Sequence, residues 1–209
     1  MKRDERNLIS RTKIIDSALK EFAQQGYGLS SVNTICSQGD ISKGILYHYF
    51  KDKDELYLAC VRELFEDLTR SLSAELGEKD DEMEMQLEQY FDARLRFFNE
   101  KPLYHKLFCD VVITPPKQLA QEISEIKKDF DALNISVLTK MLQGVKLRQG
   151  LTVAAAVETF RRYQDFVNAR RQMDSACQID VEQHEQTCRR TLNILLYGVV
   201  ERGESDYEQ

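Results

Sequence analysis

The residues predict an all-α protein of about nine helices, with a three-helix helix-turn-helix domain at the N-terminus and a larger helical region behind it. Two observations carry this. Apolar residues recur at 4-3-4-3 spacing in almost every segment, which makes one helical face. Gly, Pro and short polar clusters fall between these runs, where helices must stop, and no alternating strand pattern competes.

Residues 2–26 show the spacing at Leu8, Thr12, Ile15, Leu19, Phe22 and Ala23, and Gly26 ends the helix. Lys2, Arg3 and Arg6 precede that face, suited either to a phosphate edge or to a solvated terminus. The stretch from Ser31 to Lys53, SSVNTICSQGDISKGILYHYFKDK, then reads as two short helices joined by a tight turn. Val32, Ile35, Cys36, Ile41 and Leu46 close a small core across the turn, which leaves the other side of the second helix free. Gly39 and Asp40 mark the turn, because a left-handed backbone is cheap for Gly and tolerable for Asp. Ser42 caps the second helix.

Ile15, Ala18, Leu19, Phe22, Gly26 and Tyr27, then Ser31, Val32 and Ile35, then the run Ile41 to Phe50 with Lys53 and Leu56, stand in an order and spacing that resembles the DNA-binding domain of the TetR family of bacterial transcriptional regulators. The likeness covers about the first quarter of the chain. That family usually carries Ala at the position of Cys36 and Ala-Gly at the position of Gly39-Asp40. The resemblance implies that Ser31, Ser42, Lys43, Gly44, Tyr47, His48 and Lys53 meet DNA, with Tyr47 and Lys53 chiefly on its backbone. It also implies a homodimer in which the last two long helices of each subunit form a four-helix bundle. The residue types suit the task independently. Lys43 can donate to guanine or phosphate, Gly44 lets the backbone come close, and Ile45 can touch a thymine methyl. Tyr49 and Phe50 are expected to plug the core instead.

Charge supports this division. Residues 1–53 hold nine Lys/Arg against six Asp/Glu, net +3, so that −9 of the total −6 falls on the remainder. A cationic end on phosphates with an anionic body held away is consistent with DNA binding. The domains expected are therefore 1–53 for DNA, 54–203 for effector binding and dimerisation, and 204–209 as a polar tail.

A helix starting near Asp54 and Glu55 carries the stripe Tyr57, Val61, Leu64, Leu68 and Leu72 and links the two regions. Gly77 and the acidic run 78–82 break the pattern, and Met83 to Asn99 resumes it. Pro102 marks the next break, and a short helix from Leu103 to Ile113 stops at Thr114-Pro115-Pro116. One long helix is expected from Leu119 to Val145, largely enclosed and stopped by Gly150. Thr152 caps a helix to about Arg171, and the last helix runs from about Asp180 to Glu201. Ala154, Ala155 and Ala156 suit close helix packing in a dimer.

The N-terminus has charges where a signal peptide needs an apolar core, and no run is long and apolar enough to span a membrane, so the expected location is the cytoplasm. The five cysteines form no C-x-x-C and sit in helical patterns, which reads as reduced thiols. No cofactor loop or catalytic surround is present, so an enzyme is not expected. The second region instead concentrates aromatics. Tyr90, Arg94, Phe98, Tyr104, Phe108, Tyr163 and Phe166 are the expected pocket for a small apolar or aromatic effector, although any single aromatic is more often ordinary core. Arg94 shares a face with Tyr90 and Phe98 and requires an internal acid or an anionic effector. The pairs His105/Cys109 and His184/Cys188 have metal-ligand spacing but too few ligands each, and no metal is expected.

The sequence thus reads as a repressor that binds a palindromic operator as a homodimer and is released by a small molecule. Two other readings stand beside it. One is a ligand-independent DNA-binding protein whose second domain only dimerises or recruits a protein partner. The other is an enzyme on a borrowed fold, with Arg94 and His105 as its only seed.

Overall fold

The structure, a computed structural model, describes the backbone of residues 3–76, 83–143, 145–173 and 186–194, and the side chains of 9–76, 85–143, 145–163 and 186–194. The described residues are helical throughout apart from turns and one isolated bridge residue, Leu147. In order they form α1 (Arg3–Leu29), α2 (Val32–Gln38), α3 (Lys43–Tyr49), α4 (Lys53–Glu75), α5 (Met83–Glu100), α6 (Pro102–Ile113), a 3-10 turn (Lys117–Leu119), α7 (Ala120–Ile126), α8 (Lys128–Gln143) and α9 (Val153–Met173). Residues 186–194 are also helical. The chain divides into two compact units, residues 1–67 with 100–128, and residues 68–99 with 129–209.

In the first unit α1 interrupts its helical geometry at Gly26, where φ is 67° and ψ 170°, a region in which a Cβ would be strained. Its buried face is Ile14, Ile15, Ala18, Leu19 and Phe22, together with Ser17 and Glu21. Thr12, expected on this face, is exposed, because the stripe is centred on Ile14 and Ala18. Among the described residues the most extensive helix pairing is α1 on α6, followed by α1 on α2. Thus α6, assigned from the sequence to the effector region, packs with the N-terminal helices. Pro102 is the first residue of α6 and not a break before it, since a helix's first turn has no use for that N–H.

The start of α4 is fixed by a reciprocal cap. The Asp52 carboxylate accepts the Glu55 N–H at 2.8 Å, and the Glu55 carboxylate accepts the Lys51 N–H at 2.7 Å. Tyr57, Val61 and Leu64 are then buried, and the Tyr57 ring meets Phe22 edge-on with centroids 4.9 Å apart. Phe65 packs near Phe108 of α6 at 5.9 Å.

The second unit buries Leu68 and Leu72 from the end of α4, Leu87, Tyr90, Phe91, Phe97 and Phe98 from α5, and Phe130, Leu138, Met141 and Leu142 from α8. Arg189 reaches Glu88 at 3.0 Å and Asp92 at 3.5 Å, tying residues 186–194 to α5. The long helix expected from Leu119 to Val145 is divided at Lys127, whose N–H bonds back to both Glu125 and Ile123, and it ends at Gln143. The division leaves the apolar spacing of Ile123, Ile126 and Phe130 intact, so the pattern could not reveal it. Leu133, Ile135 and Val137 are only half-buried, so this stretch is less enclosed than its spacing suggested. Gly150, with φ 85°, lies in the turn before α9, where the Thr152 hydroxyl accepts the Ala155 N–H at 3.1 Å as expected of a cap. Of the last helix expected, only 186–194 falls within the described residues, and His184 lies outside them. No helix of the described residues is long and apolar enough to cross a membrane.

Candidate nucleic-acid interface

The N–H groups at the start of α2 would be orphaned without a cap. Ser31 supplies it, its hydroxyl accepting the Asn33 N–H at 3.2 Å, while its own N–H donates to the buried Glu21 carboxylate at 3.0 Å. Glu21 was missed from the sequence, although its spacing from Ile14 and Ala18 places it on the buried face of α1. It fixes where α2 begins.

The turn between α2 and α3 inverts the expected roles of its two residues. Gly39 has φ −86°, an ordinary helical value, and the left-handed residue is Asp40 at φ 47°. Glycine is needed at 39 for space: a Cβ there would lie 2.5 Å from Ile41 Cδ1 and 2.9 Å from Ser17 Cβ. Ser17 in turn donates to the Ile35 carbonyl at 2.7 Å, so the turn is pressed onto α1. The Ile41 N–H returns to the Cys36 carbonyl at 2.9 Å and sets the direction in which α3 leaves.

Ser42 caps α3, accepting the Ile45 N–H at 3.3 Å. Leu46 and Phe50 anchor the helix at 0% and 4% exposure, while Ile45 and Tyr47 remain 47% and 50% exposed. Lys43, Gly44 and His48 are exposed as well, and the His48 ring stands edge-on to half-buried Tyr49 at 5.1 Å. A Cβ on Gly44 would meet nothing within 4 Å, so no neighbour in the chain requires a glycine there. Six of the eight expected contact residues thus lie on α3 or at its cap, and Ser31 caps α2. A capping hydroxyl uses its oxygen on the helix and keeps its proton for an outside acceptor.

Lys53, the eighth, has inward work. Its Nζ donates to the Tyr27 carbonyl at 2.8 Å and the Ser30 carbonyl at 3.3 Å, and lies 4.3 Å from the Tyr27 ring centroid. The Tyr27 hydroxyl donates to Asp54. Desolvation and the Asp54 carboxylate raise the Tyr27 phenol above its ordinary value.

A rod held by two buried residues, capped at its start and presenting a cation, a backbone gap, an apolar tip and hydrogen-bonding rings to solvent, defines a DNA-binding protein of the helix-turn-helix class. Residues 14–60 match the family model described as bacterial regulatory proteins, tetR family. Those residues therefore carry the DNA-binding domain of the TetR family of bacterial transcriptional regulators, and the chain as a whole is similar to regulators of transcription. It is 24% identical over 152 residues to the fatty acid metabolism regulator protein of Bacillus subtilis, covering 69% of this chain and 74% of that protein. It is 33% identical over 69 residues to the regulator BetI of Brucella anthropi, covering 33% of this chain and 36% of that protein. Among solved structures, the transcriptional regulator FadR from Bacillus subtilis in complex with stearoyl-CoA shares the fold with a TM-score of 0.66 at 21% identity, over 87% of this chain and 96% of that one. FadR from Bacillus halodurans gives 0.65 at 20% identity over the same shares.

The expected effector residues do not fall in one compact unit. Tyr90, Arg94, Phe98 and half-buried Tyr163 belong to the second, Tyr104 and Phe108 to the first, and the side chain of Phe166 lies outside the described residues. Arg94, 4% exposed, donates to the Tyr90 hydroxyl at 3.3 Å and stands 5.7 Å and 5.9 Å from the Tyr90 and Phe98 ring centroids. The Tyr90 hydroxyl donates on to Asn134. Tyr104 takes Lys101 over its ring at 5.2 Å. The His105 and Cys109 side chains do meet, Sγ to Nε2 at 3.5 Å, both buried. No group of three or more His, Cys, Asp or Glu among the described residues could hold a metal ion.

Proposed function

We propose that the chain is a cytoplasmic repressor that binds a palindromic operator as a homodimer through its last two helices and is released by a small molecule. The observation that carries the DNA half is α3 itself, anchored by Leu46 and Phe50 while Lys43, Ile45 and Tyr47 stay exposed. Lys43 and Ile45 read base edges, and Gly44 lets the backbone approach. Ser31, Ser42, Tyr47, His48 and Lys53 hold the phosphates. In a dimer the two α3 helices address half-sites about 34 Å apart, one turn of the duplex.

The effector half rests on the cluster of Tyr90, Arg94 and Phe98, a buried cation among aromatic faces, with Tyr163 on α9 of the same unit. Such a cluster suits a ligand with a long apolar part and an anionic head. The likeness to a regulator crystallised with stearoyl-CoA supports a fatty acyl thioester as the class to test first. Binding of this ligand would favour a state in which the two α3 helices no longer fit adjacent grooves. A coupling of about 1–3 kcal/mol lowers operator affinity roughly 5- to 150-fold.

The test has two stages. Bound DNA is selected from a random pool, and fluorescence anisotropy on the selected duplex is then repeated with acyl thioesters of increasing chain length. A palindromic consensus and chain-length-dependent release support the reading. A consensus with no release by any acyl thioester would favour the ligand-independent alternative, and the absence of any consensus would remove the operator claim.

A further inference from the structure

Asp110 lies on α6, on the side that faces α1. Its Oδ2 is 3.4 Å from where a Cβ would stand on Gly26, the residue at which α1 breaks. No described donor is bonded to this half-buried carboxylate, and desolvation alone pushes its pKa up to about 6. Opposite, on α4, the Tyr57 hydroxyl is buried with no hydrogen-bond partner among the described residues. Burial first, and the charge of Asp110 second, raise the Tyr57 phenol. The other titratable groups that Tyr57 feels are Cys60 on α4 and Tyr27 on α1, and Tyr27 in turn feels Asp54 and Asp52. None of these is a cation, and Lys53, the cation on α4 beside Tyr27, is committed to the Tyr27 and Ser30 carbonyls. On α6 itself Lys106, one turn back, is exposed, and His105 is occupied with Cys109.

A carboxylate without donors, beside an orphaned phenol and against a helix break, has two ways to lower its energy. It takes a proton, or it carries its helix toward water. We propose that Asp110 is a proton-operated latch between α6 and α1: neutral, it lets α6 lie against Gly26; ionised, it drives the carboxyl toward water and loosens α6 from α1. The contact in question is the most extensive helix pairing among the described residues, and α1 is the helix onto which the turn before α3 is pressed. Proton concentration therefore sets how firmly the DNA-binding unit is braced, independently of any effector.

The sign follows from linkage. The neutral form is preferred in the packed state, so bracing is complete below the unfolded carboxylate range near 3.8 and is lost as pH rises through about 6. Two measurements on the full chain test it. The Asp110 carboxyl is titrated by 13C NMR, and amide exchange in α6 and around Gly26 is followed at pH 5 and pH 7, corrected for the chemical pH dependence of exchange. The latch predicts a carboxyl titrating near 6 and protection that falls roughly tenfold between the two conditions. The Asp110→Asn variant should keep the acid-form protection at both. A carboxyl that titrates at 4 or below, protection equal at both pH values, or an Asn variant with the wild-type pH response would each overturn the proposal. The wild-type titration stands even if the variant does not fold.

Discussion

Lys53 stands with its ammonium 2.8 Å from the Tyr27 carbonyl and 4.3 Å from the centroid of the same residue's ring, so α4 begins by closing the open end of α1. The charge satisfies carbonyls left over by the break at Gly26. Replacement by Met, which keeps the stem and removes the charge, should cost about 1–2 kcal/mol of stability. Urea denaturation measures it. If Lys53 also touches phosphate, the variant will in addition show a shallower dependence of operator affinity on salt.

Gly44 carries a cost without an internal reason. A helical glycine is about 0.5–1 kcal/mol worse than alanine, and no neighbour lies within 4 Å of the missing Cβ. Gly44→Ala should therefore raise stability by that amount while weakening operator binding, an opposite movement of two readouts that a purely structural glycine would not give. Thermal denaturation and anisotropy on one preparation measure both.

The turn makes a paired prediction. Gly39→Ala forces a methyl to 2.9 Å from Ser17 Cβ, an atom fixed to the α1 backbone, and should destabilise by about 1–3 kcal/mol. Asp40→Gly relieves the positive φ and should stabilise by up to about 1 kcal/mol. Were glycine needed at 39 for its backbone freedom, the pattern would reverse.

The Tyr57 hydroxyl is buried with no hydrogen-bond partner among the described residues. Tyr57→Phe should accordingly be neutral or stabilising by about 1 kcal/mol, in contrast to the usual loss on deleting a buried polar group that has a partner. Chemical denaturation separates these outcomes.

Much of this was legible from local chemistry. Leu46 and Phe50 as anchors, Ser42 as a cap, and the Tyr57 to Leu72 stripe all follow from spacing and side-chain type, and the structure buries or bonds them accordingly. What was not legible depends on contacts distant in sequence. Nothing near Pro102 signals that α6 lies on α1, and the space limit at Gly39 comes in part from Ser17, 22 residues earlier. Lys53 reads as a surface cation until the Tyr27 and Ser30 carbonyls are placed beside it. The expected pocket grouped aromatics by proximity along the chain, and its members belong to both compact units, Tyr104 and Phe108 to the first and Tyr90 and Phe98 to the second.

The central claim is that the open side of α3 reads DNA. Its most direct test is the operator affinity of a Lys43→Ala, Tyr47→Phe double variant, by anisotropy at fixed salt, with circular dichroism confirming an unchanged fold. Loss of two contacts worth about 1–3 kcal/mol each should weaken binding on the order of a hundredfold. A folded double variant that binds the selected duplex as tightly as the wild type would contradict the account.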